Sequence, residues 1–221
     1  MHTPDLFPEV PRLAPCSLCG ASGIRNTCTR CDLRRRLFAP RAPLTPEEEN
    51  ASEEARLERA ESARQVRERL ERLQRLQRPV RVALLGCSAT KGNSAVPAES
   101  LYKGRLFRTS LAYARSVLCA DEILILSAFH GVVELNRVIA PYERSLATAS
   151  KDERNDWAWR VGSMLKETFP GLDVEAHFLA GHAYFPRVFS AAWTFRTPLA
   201  GLALGQRYAA LISAIEAGRL L

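Results

Sequence analysis

The sequence predicts a three-layer α/β domain, in which a mainly parallel sheet is packed between helices. Three continuous apolar runs, at residues 80–86, 122–127 and 173–179, are each typical of a strand buried on both faces. Segments with helical periodicity separate these runs. Such an alternation of strands and helices favours parallel strands joined by crossover helices. We therefore expect one domain over residues 80–221.

Helices are expected between these strands and after the last of them. One helix runs from Phe107 through Leu118, and another covers residues 152–169, where apolar residues recur at helical spacing. A short helix after Tyr184 leads to a fourth strand at residues 194–197, and a last helix follows at residues 206–217. The chain thus has the element order of a crossover α/β domain.

Residues 1–45 form a separate module with closely spaced cysteines and a proline-rich lead. Two Cys-x-x-Cys pairs, Cys16/Cys19 and Cys28/Cys31, are separated by eight residues. Such pairs can place their thiolates tetrahedrally around zinc, and a segment too short to build a core derives its folding free energy from the metal. We therefore expect a structural zinc knuckle. Its neighbouring arginines suit either nucleic-acid phosphates or a protein partner.

A long charged helix is expected between the zinc module and the main domain. Residues 46–77 contain proline only at the first position, lack glycine, and are rich in Ala, Glu, Arg and Leu. Ala63, Val66, Leu70 and Leu73 recur at 3-4-3 spacing, which suits self-association, a protein partner or docking on the main domain. We expect residues 46–79 to act mainly as a charged spacer.

The chain is basic, with a formal net charge of +7 and a pI near 9.4. Residues 1–45 and residues 80–221 each carry +4, whereas residues 46–79 carry −1. This balance favours a polyanionic partner, most simply nucleic acid, with DNA preferred over RNA. Because no apolar run reaches about 20 residues and no signal-peptide pattern begins the sequence, we expect a cytoplasmic protein without a membrane partner.

Each of the three main strands ends in a loop of small residues that carries hydroxyl, imidazole or amine groups. In chain order, the residues that could bind a ligand are Ser88, Thr90, Lys91, Ser127, His130, Gly181 and Tyr184. The carboxyl ends of parallel strands meet at one edge of the sheet, where α/β domains bind ligands. We therefore expect one concave pocket, with Tyr102 and Tyr142 at its wall.

Several short motifs resemble those of an uncharacterised domain family of bacteria and phages. They are Cys87-Ser88-x-Thr90-Lys91, Pro97-Ala98-x-x-Leu101-Tyr102, Leu126-Ser127-Ala128-x-His130-Gly131-Val132 and Pro141-Tyr142, and Gly181 and Tyr184 fit a later motif. The family's layout looks like the uracil-DNA-glycosylase-like domain of archaeosine synthases. The resemblance covers residues 80–221 and implies a uracil-DNA-glycosylase-like fold.

The fold that the resemblance implies, together with these residues, favours an enzyme acting on a nucleobase N-glycosidic bond, on modified or foreign DNA, in phages or in defence against them. Such an enzyme needs a carboxylate near the sugar and donors for the departing base. Glu143 is the expected carboxylate, with Glu134 as the alternative, and it stands where the family pattern has aspartate. His130 and Ser127 would bind the base or its developing anion, and we expect His130 to matter more than Glu143.

The remaining residues of the expected pocket would bind substrate. Ser88, Thr90 and Lys91 would hold phosphate or sugar oxygens, and Tyr102 or Tyr142 would stack on the base. Each has a structural alternative, since the tyrosines suit the core and the lysine suits a solvated loop.

Two other functions fit the same sequence. One is a non-catalytic, zinc-containing nucleic-acid-binding protein whose pocket only recognises a base, and the other is a nucleotide or nucleoside N-glycosidase. The sequence contains neither Gly-x-x-x-x-Gly-Lys-[Ser/Thr] nor Gly-x-Gly-x-x-Gly after a strand, so ATP and dinucleotide binding lack support. It also lacks the Gly-x-Ser-x-Gly motif of serine hydrolases.

Overall fold

A computed structural model describes residues 46–188 and 190–221. The chain divides into two compact units between Glu61 and Ser62, and the second unit contains the sheet. The predicted zinc ligands Cys16, Cys19, Cys28 and Cys31 lie outside the described residues, so the zinc knuckle stays a prediction.

The described strands form one large sheet and one short ladder. In chain order they are β1 (Val80–Gly86), β2 (Val96–Pro97), β3 (Glu122–Ser127), β4 (Gly131–Glu134), β5 (Val138–Ile139), β6 (Val174–Leu179) and β7 (Trp193–Arg196). The large sheet has the order β4-β3-β1-β6-β7, and only β4 is antiparallel to its neighbour. The prediction that the three main strands are parallel neighbours is therefore confirmed.

Helices connect these strands at the expected places. They are α1 (Pro46–Gln74), α2 (Ala98–Leu101), α3 (Arg105–Ser116), α4 (Lys151–Thr168) and α5 (Leu204–Ala217), with a 3₁₀ turn at His182–Tyr184. A capping box fixes the start of α4, because Ser150 Oγ accepts from the Glu153 backbone N–H at 3.2 Å and the Glu153 carboxylate accepts from the Ser150 N–H at 2.8 Å. The C-terminal end of α5 is followed by Gly218, whose φ of 60° lies in the left-handed region.

Alternate side chains of β1 pack on opposite faces of the sheet, which explains its continuous apolar run. Val82 and Leu84 join one buried cluster, to which α4 contributes Trp157, Val161 and Leu165. Ala83 and Leu85 join the second cluster, to which α3 and α5 contribute Phe107, Leu111, Leu211 and Ala214. The sheet is therefore covered on both faces, as a three-layer architecture requires.

The C-terminal end of α1 is part of the main domain and not a spacer. Leu73 is 1% exposed and belongs to the same buried cluster as α4. Glu122, at the start of β3, forms ion pairs with Arg69 at 3.0 Å and with Arg72 at 2.6 Å, and Arg72 also donates a hydrogen bond to it. The apolar positions at the end of the 3-4-3 pattern thus dock on the sheet, whereas Val66 remains 51% exposed.

The strand that returns along β3 was not predicted from the sequence. The chain turns tightly after Ser127, and β4 pairs antiparallel with β3 from Gly131 onward. Gly131 has a φ of 78°, and a Cβ there would lie 2.7 Å from the sulfur of Met164 on α4. The crossover to α4 therefore begins only after this hairpin. Among the described residues, no helix is both long and apolar enough to cross a membrane.

Candidate functional site

The loop after β1 is held against the start of α3 by one serine. Ser88 Oγ accepts hydrogen bonds from the backbone N–H groups of Thr90 and Gly104, each at 3.1 Å. Any side chain at position 104 would collide with that hydroxyl, so glycine is needed there. With two acceptor positions filled, the Ser88 hydroxyl still has a proton to donate to a ligand.

A cavity of about 600 Å³ opens where β1 and β6 end and α3 and α5 begin. We call it the apolar cavity. Its lining residues are Gly86, Cys87, Ser88, Ala89, Gly104, Arg105, Leu106, Phe107, Ser110, Leu179, Ala180, Gly181, Tyr184, Leu204, Gly205 and Tyr208. Both its size and its mostly apolar lining are typical of sites for small organic groups.

A second cavity of about 320 Å³ adjoins the first and carries charged groups; we call it the polar cavity. Its lining residues are Cys87, Ser88, Ala89, Lys91, Glu143, Arg144, Ser145, Thr148 and Tyr184. The two cavities share Cys87, Ser88, Ala89 and Tyr184. A ligand lying across this shared boundary would place an apolar group in one cavity and an anionic group in the other.

Tyr184 stands at the boundary between the cavities. Its hydroxyl lies 3.5 Å from the sulfur of Cys87, and its ring meets the Trp157 indole edge-on, with 5.5 Å between centroids. Burial raises the pKa of Tyr184, and the nearby Cys87 raises it further. The phenol therefore stays protonated at neutral pH and can donate a hydrogen bond to a ligand.

The end of β3 is closed by hydrogen bonds of its own. Ser127 is fully buried, and its Oγ accepts from the backbone N–H groups of Phe129 at 3.2 Å and His130 at 3.0 Å. The Tyr142 hydroxyl lies 2.8 Å from Ser127 Oγ and 2.9 Å from the hydroxyl of Tyr102, which is also fully buried. Burial raises the pKa of both phenols. These groups support the turn and the core.

His130 lies on this turn with its ring edge-on to Tyr142, at 5.3 Å between centroids. Burial lowers the pKa of His130, and the charge of Arg137 lowers it further, so its imidazole is neutral at pH 7. Lys91 Nζ lies 4.4 Å from the Tyr142 ring centroid, which makes that ring a neighbour of the polar cavity. Neither His130 nor Tyr142 lines either cavity.

The structure brings together five of the expected site residues and leaves five apart. Ser88, Lys91, Glu143, Gly181 and Tyr184 line the adjoining cavities. Thr90, Tyr102, Ser127, His130 and Tyr142 line neither. The catalytic and binding roles assigned to these side chains stay predictions, but the expected single pocket is replaced by two cavities around the β1 loop.

The helical wall of the apolar cavity was not predicted from the sequence. The wall includes Arg105, Phe107 and Ser110 from α3 and Tyr208 from α5. The Arg105 guanidinium carbon lies 4.6 Å from the centroid of the Tyr208 ring. Only Gly104-Arg105, which follows the Tyr102 motif after one lysine, offered a signal in the sequence. Among the described residues there is no group of three or more His, Cys, Asp or Glu side chains that could hold a metal ion.

These features define an α/β domain with two adjoining cavities at the carboxyl edge of a mainly parallel sheet. The chain belongs to a family of unknown function, DUF6884, whose sequence profile matches residues 82–213. The match is to an uncharacterised domain, as expected, while the family's motifs and the likeness to uracil-DNA glycosylases stay predictions. No curated protein matches the sequence.

Proposed function

We propose that the protein is a cytoplasmic enzyme that cleaves a nucleobase N-glycosidic bond in nucleic acid, with DNA preferred over RNA. One observation carries the proposal: a cavity with a carboxylate and two cations adjoins an apolar cavity large enough for a base. A nucleotide has one part to match each cavity: an uncharged ring for the apolar cavity and a phosphate for the polar cavity, joined by the sugar. The uracil-DNA-glycosylase-like fold and a modified or foreign DNA substrate belong to this proposal.

The proposed reaction divides between the two cavities. The base would occupy the apolar cavity, while Lys91 and Arg144 would bind the flanking phosphates in the polar cavity. The C–N bond breaks with its electron pair moving to the base, and a water oxygen bonds to the anomeric carbon. Glu143 accepts the proton of that water and stabilises positive charge on the sugar. The departing base accepts hydrogen bonds and then a proton from solvent.

Base release from nucleic acid tests the reaction directly. Purified full-length protein is incubated with single- and double-stranded DNA and RNA, and free bases are measured by mass spectrometry. We expect Glu143→Gln to lower base release by about 10²–10⁴-fold with nucleic-acid affinity retained, because the lost interaction acts mainly in the transition state. Glu134→Gln is the matched control, since this exposed carboxylate on β4 lines neither cavity.

The alternatives appear as outcomes of the same experiment. If the wild type releases no base and Lys91→Ala has a lower affinity for nucleic acid, the protein is a binding module. Release from free nucleosides or nucleotides, with none from polymers, would indicate a small-molecule N-glycosidase. Equal release by the wild type and Glu143→Gln would remove Glu143 from the mechanism.

The zinc module is proposed to bind the polymer outside the cavities. Elemental analysis should find about one zinc per chain, and Cys16→Ser should lower it, because the paired thiolates act as one ligand set. Affinity for nucleic acid should fall steeply with salt, and deletion of residues 1–45 should weaken it. Unchanged affinity after the deletion would assign the module, or helix 46–77, to a protein partner or self-association.

A further inference from the structure

Ser110 carries a buried hydroxyl that forms no hydrogen bond. The residue is 1% exposed, lies on α3 and is one of the residues that line the apolar cavity. Its Oγ is among the few buried side-chain polar atoms without a partner in the described part of the chain. The others belong to Arg69 and His177, which line neither cavity.

The neighbouring hydroxyls on the same helix show what Ser110 lacks. Thr109 Oγ1 donates to the carbonyl of Arg105 at 3.0 Å, and Ser116 Oγ donates to the carbonyl of Ala112 at 2.8 Å. Such bonds to the preceding turn are the usual way in which a helix satisfies a hydroxyl. Ser110 does not use its preceding turn, so its hydroxyl stays unpaired in a residue that lines the apolar cavity.

The surrounding wall selects the kind of group that could approach Ser110. Phe107 and Tyr208 supply aromatic surface, and Arg105 covers the Tyr208 ring at 4.6 Å. Leu106 and Leu179 add aliphatic surface. A flat ring with apolar faces matches this aromatic and aliphatic part of the lining.

We propose that the apolar cavity binds a planar heteroaromatic base and that Ser110 Oγ forms a hydrogen bond with its polar edge. This inference rests on the proposed function, of which it names the base subsite. Ser110 then determines specificity, because a base lacking a donor or acceptor at that position leaves the buried hydroxyl unpaired. A serine hydroxyl both donates and accepts, so it suits a carbonyl oxygen as well as an amino group or ring nitrogen.

Binding of free bases tests the inference without requiring catalysis. Isothermal titration of full-length protein with adenine, guanine, cytosine, thymine and uracil identifies the base that binds best. We expect Ser110→Ala to lower the affinity for that base at least tenfold. The melting temperature of the variant should be unchanged or raised, since an unpaired buried hydroxyl is removed. Ser116→Ala, an exposed serine on the same helix, is the matched control and should change neither quantity. Ser110→Cys keeps the side-chain size and should weaken binding as well.

The outcomes separate this inference from the proposed reaction. Equal affinity of wild type and Ser110→Ala overturns the base subsite, even if bases are released from nucleic acid. Binding that depends on Ser110, in a protein that releases no base, supports the subsite and contradicts the reaction. If none of the five bases binds to the wild type, the subsite is wrong, whatever the release experiment shows.

Discussion

The loops after β1 and β3 look alike in sequence but differ in structure. Each follows a buried apolar strand, and each has a serine whose Oγ accepts two backbone N–H hydrogen bonds. Ser88, after β1, is partly exposed and lines both cavities. Ser127, at the end of β3, is fully buried and lines neither.

The difference comes from the neighbouring strands. The β1 strand lies in the middle of the sheet with parallel partners on both sides, so its loop opens between the ends of β3 and β6. Beyond β3 lies β4, an antiparallel strand, and the short turn that joins them closes over the end of β3. Polar residues after a strand thus indicate a site only where the chain crosses over instead of turning back.

The first prediction tests whether the β3 side is structural by removing a fully buried ring next to it. Tyr102 is fully buried and packs on Phe107 with 5.2 Å between ring centroids. Replacing it with alanine should cost about 3–5 kcal/mol of unfolding free energy in urea, because a large cavity forms. Tyr184→Ala, at the partly exposed boundary of the cavities, should cost clearly less. Similar losses for both variants would break the comparison.

The second prediction compares the two serines directly. Ser127→Ala leaves two backbone N–H groups without their acceptor in a buried turn and takes from the Tyr142 hydroxyl one of its two hydroxyl neighbours, so we expect a loss of about 1–3 kcal/mol in unfolding free energy. Ser88→Ala removes an equivalent acceptor where water can replace it, and should cost less than about 1 kcal/mol. Base release should fall more in Ser88→Ala than in Ser127→Ala.

Much of the fold could be predicted because its strands are continuous apolar runs. Such runs identified β1, β3 and β6, and their alternation with helices predicted the parallel order. The strand β4 was missed because Gly131–Glu134 is too short to show a period. Among the residues that line the cavities, Ser88 and Lys91 were singled out because they follow a strand, and Glu143 because the resemblance expects a carboxylate there; their roles stay predictions. Ser110 looks like any helical serine until its missing partner is seen.

The third prediction uses the raised pKa of Tyr142. The folded protein holds this phenolic proton more tightly than the unfolded chain, whose tyrosines titrate near pH 10. The corresponding stability is therefore complete below about pH 10 and is lost as the pH rises above it, by up to about 1.4 kcal/mol per pH unit. Urea unfolding between pH 8 and about pH 11 should show a shallower decline for Tyr142→Phe than for the wild type. Parallel declines would contradict the burial of this hydroxyl.

The last prediction concerns the contribution of His130 to base release. The motif match ranks this contribution above that of Glu143, whereas the geometry ranks it lower. His130 lies on the closed turn, outside both cavities, whereas Glu143 lines the polar cavity beside Lys91. We therefore expect His130→Ala to leave base release within about threefold of the wild type, a change smaller than one hydrogen bond.

His130→Ala should still have a small effect on stability that depends on pH. Because the pKa of His130 is lowered by burial and by Arg137, the folded state disfavours its protonation. The wild type should therefore be fully stabilised above about pH 6.5 and lose stability as the pH falls below it, and the variant should lose less. Urea unfolding at pH 5 and pH 7.5 measures this difference. A hundredfold loss of base release in His130→Ala, with stability unchanged at both pH values, would place the histidine at the reacting atoms and reverse the comparison of the two loops.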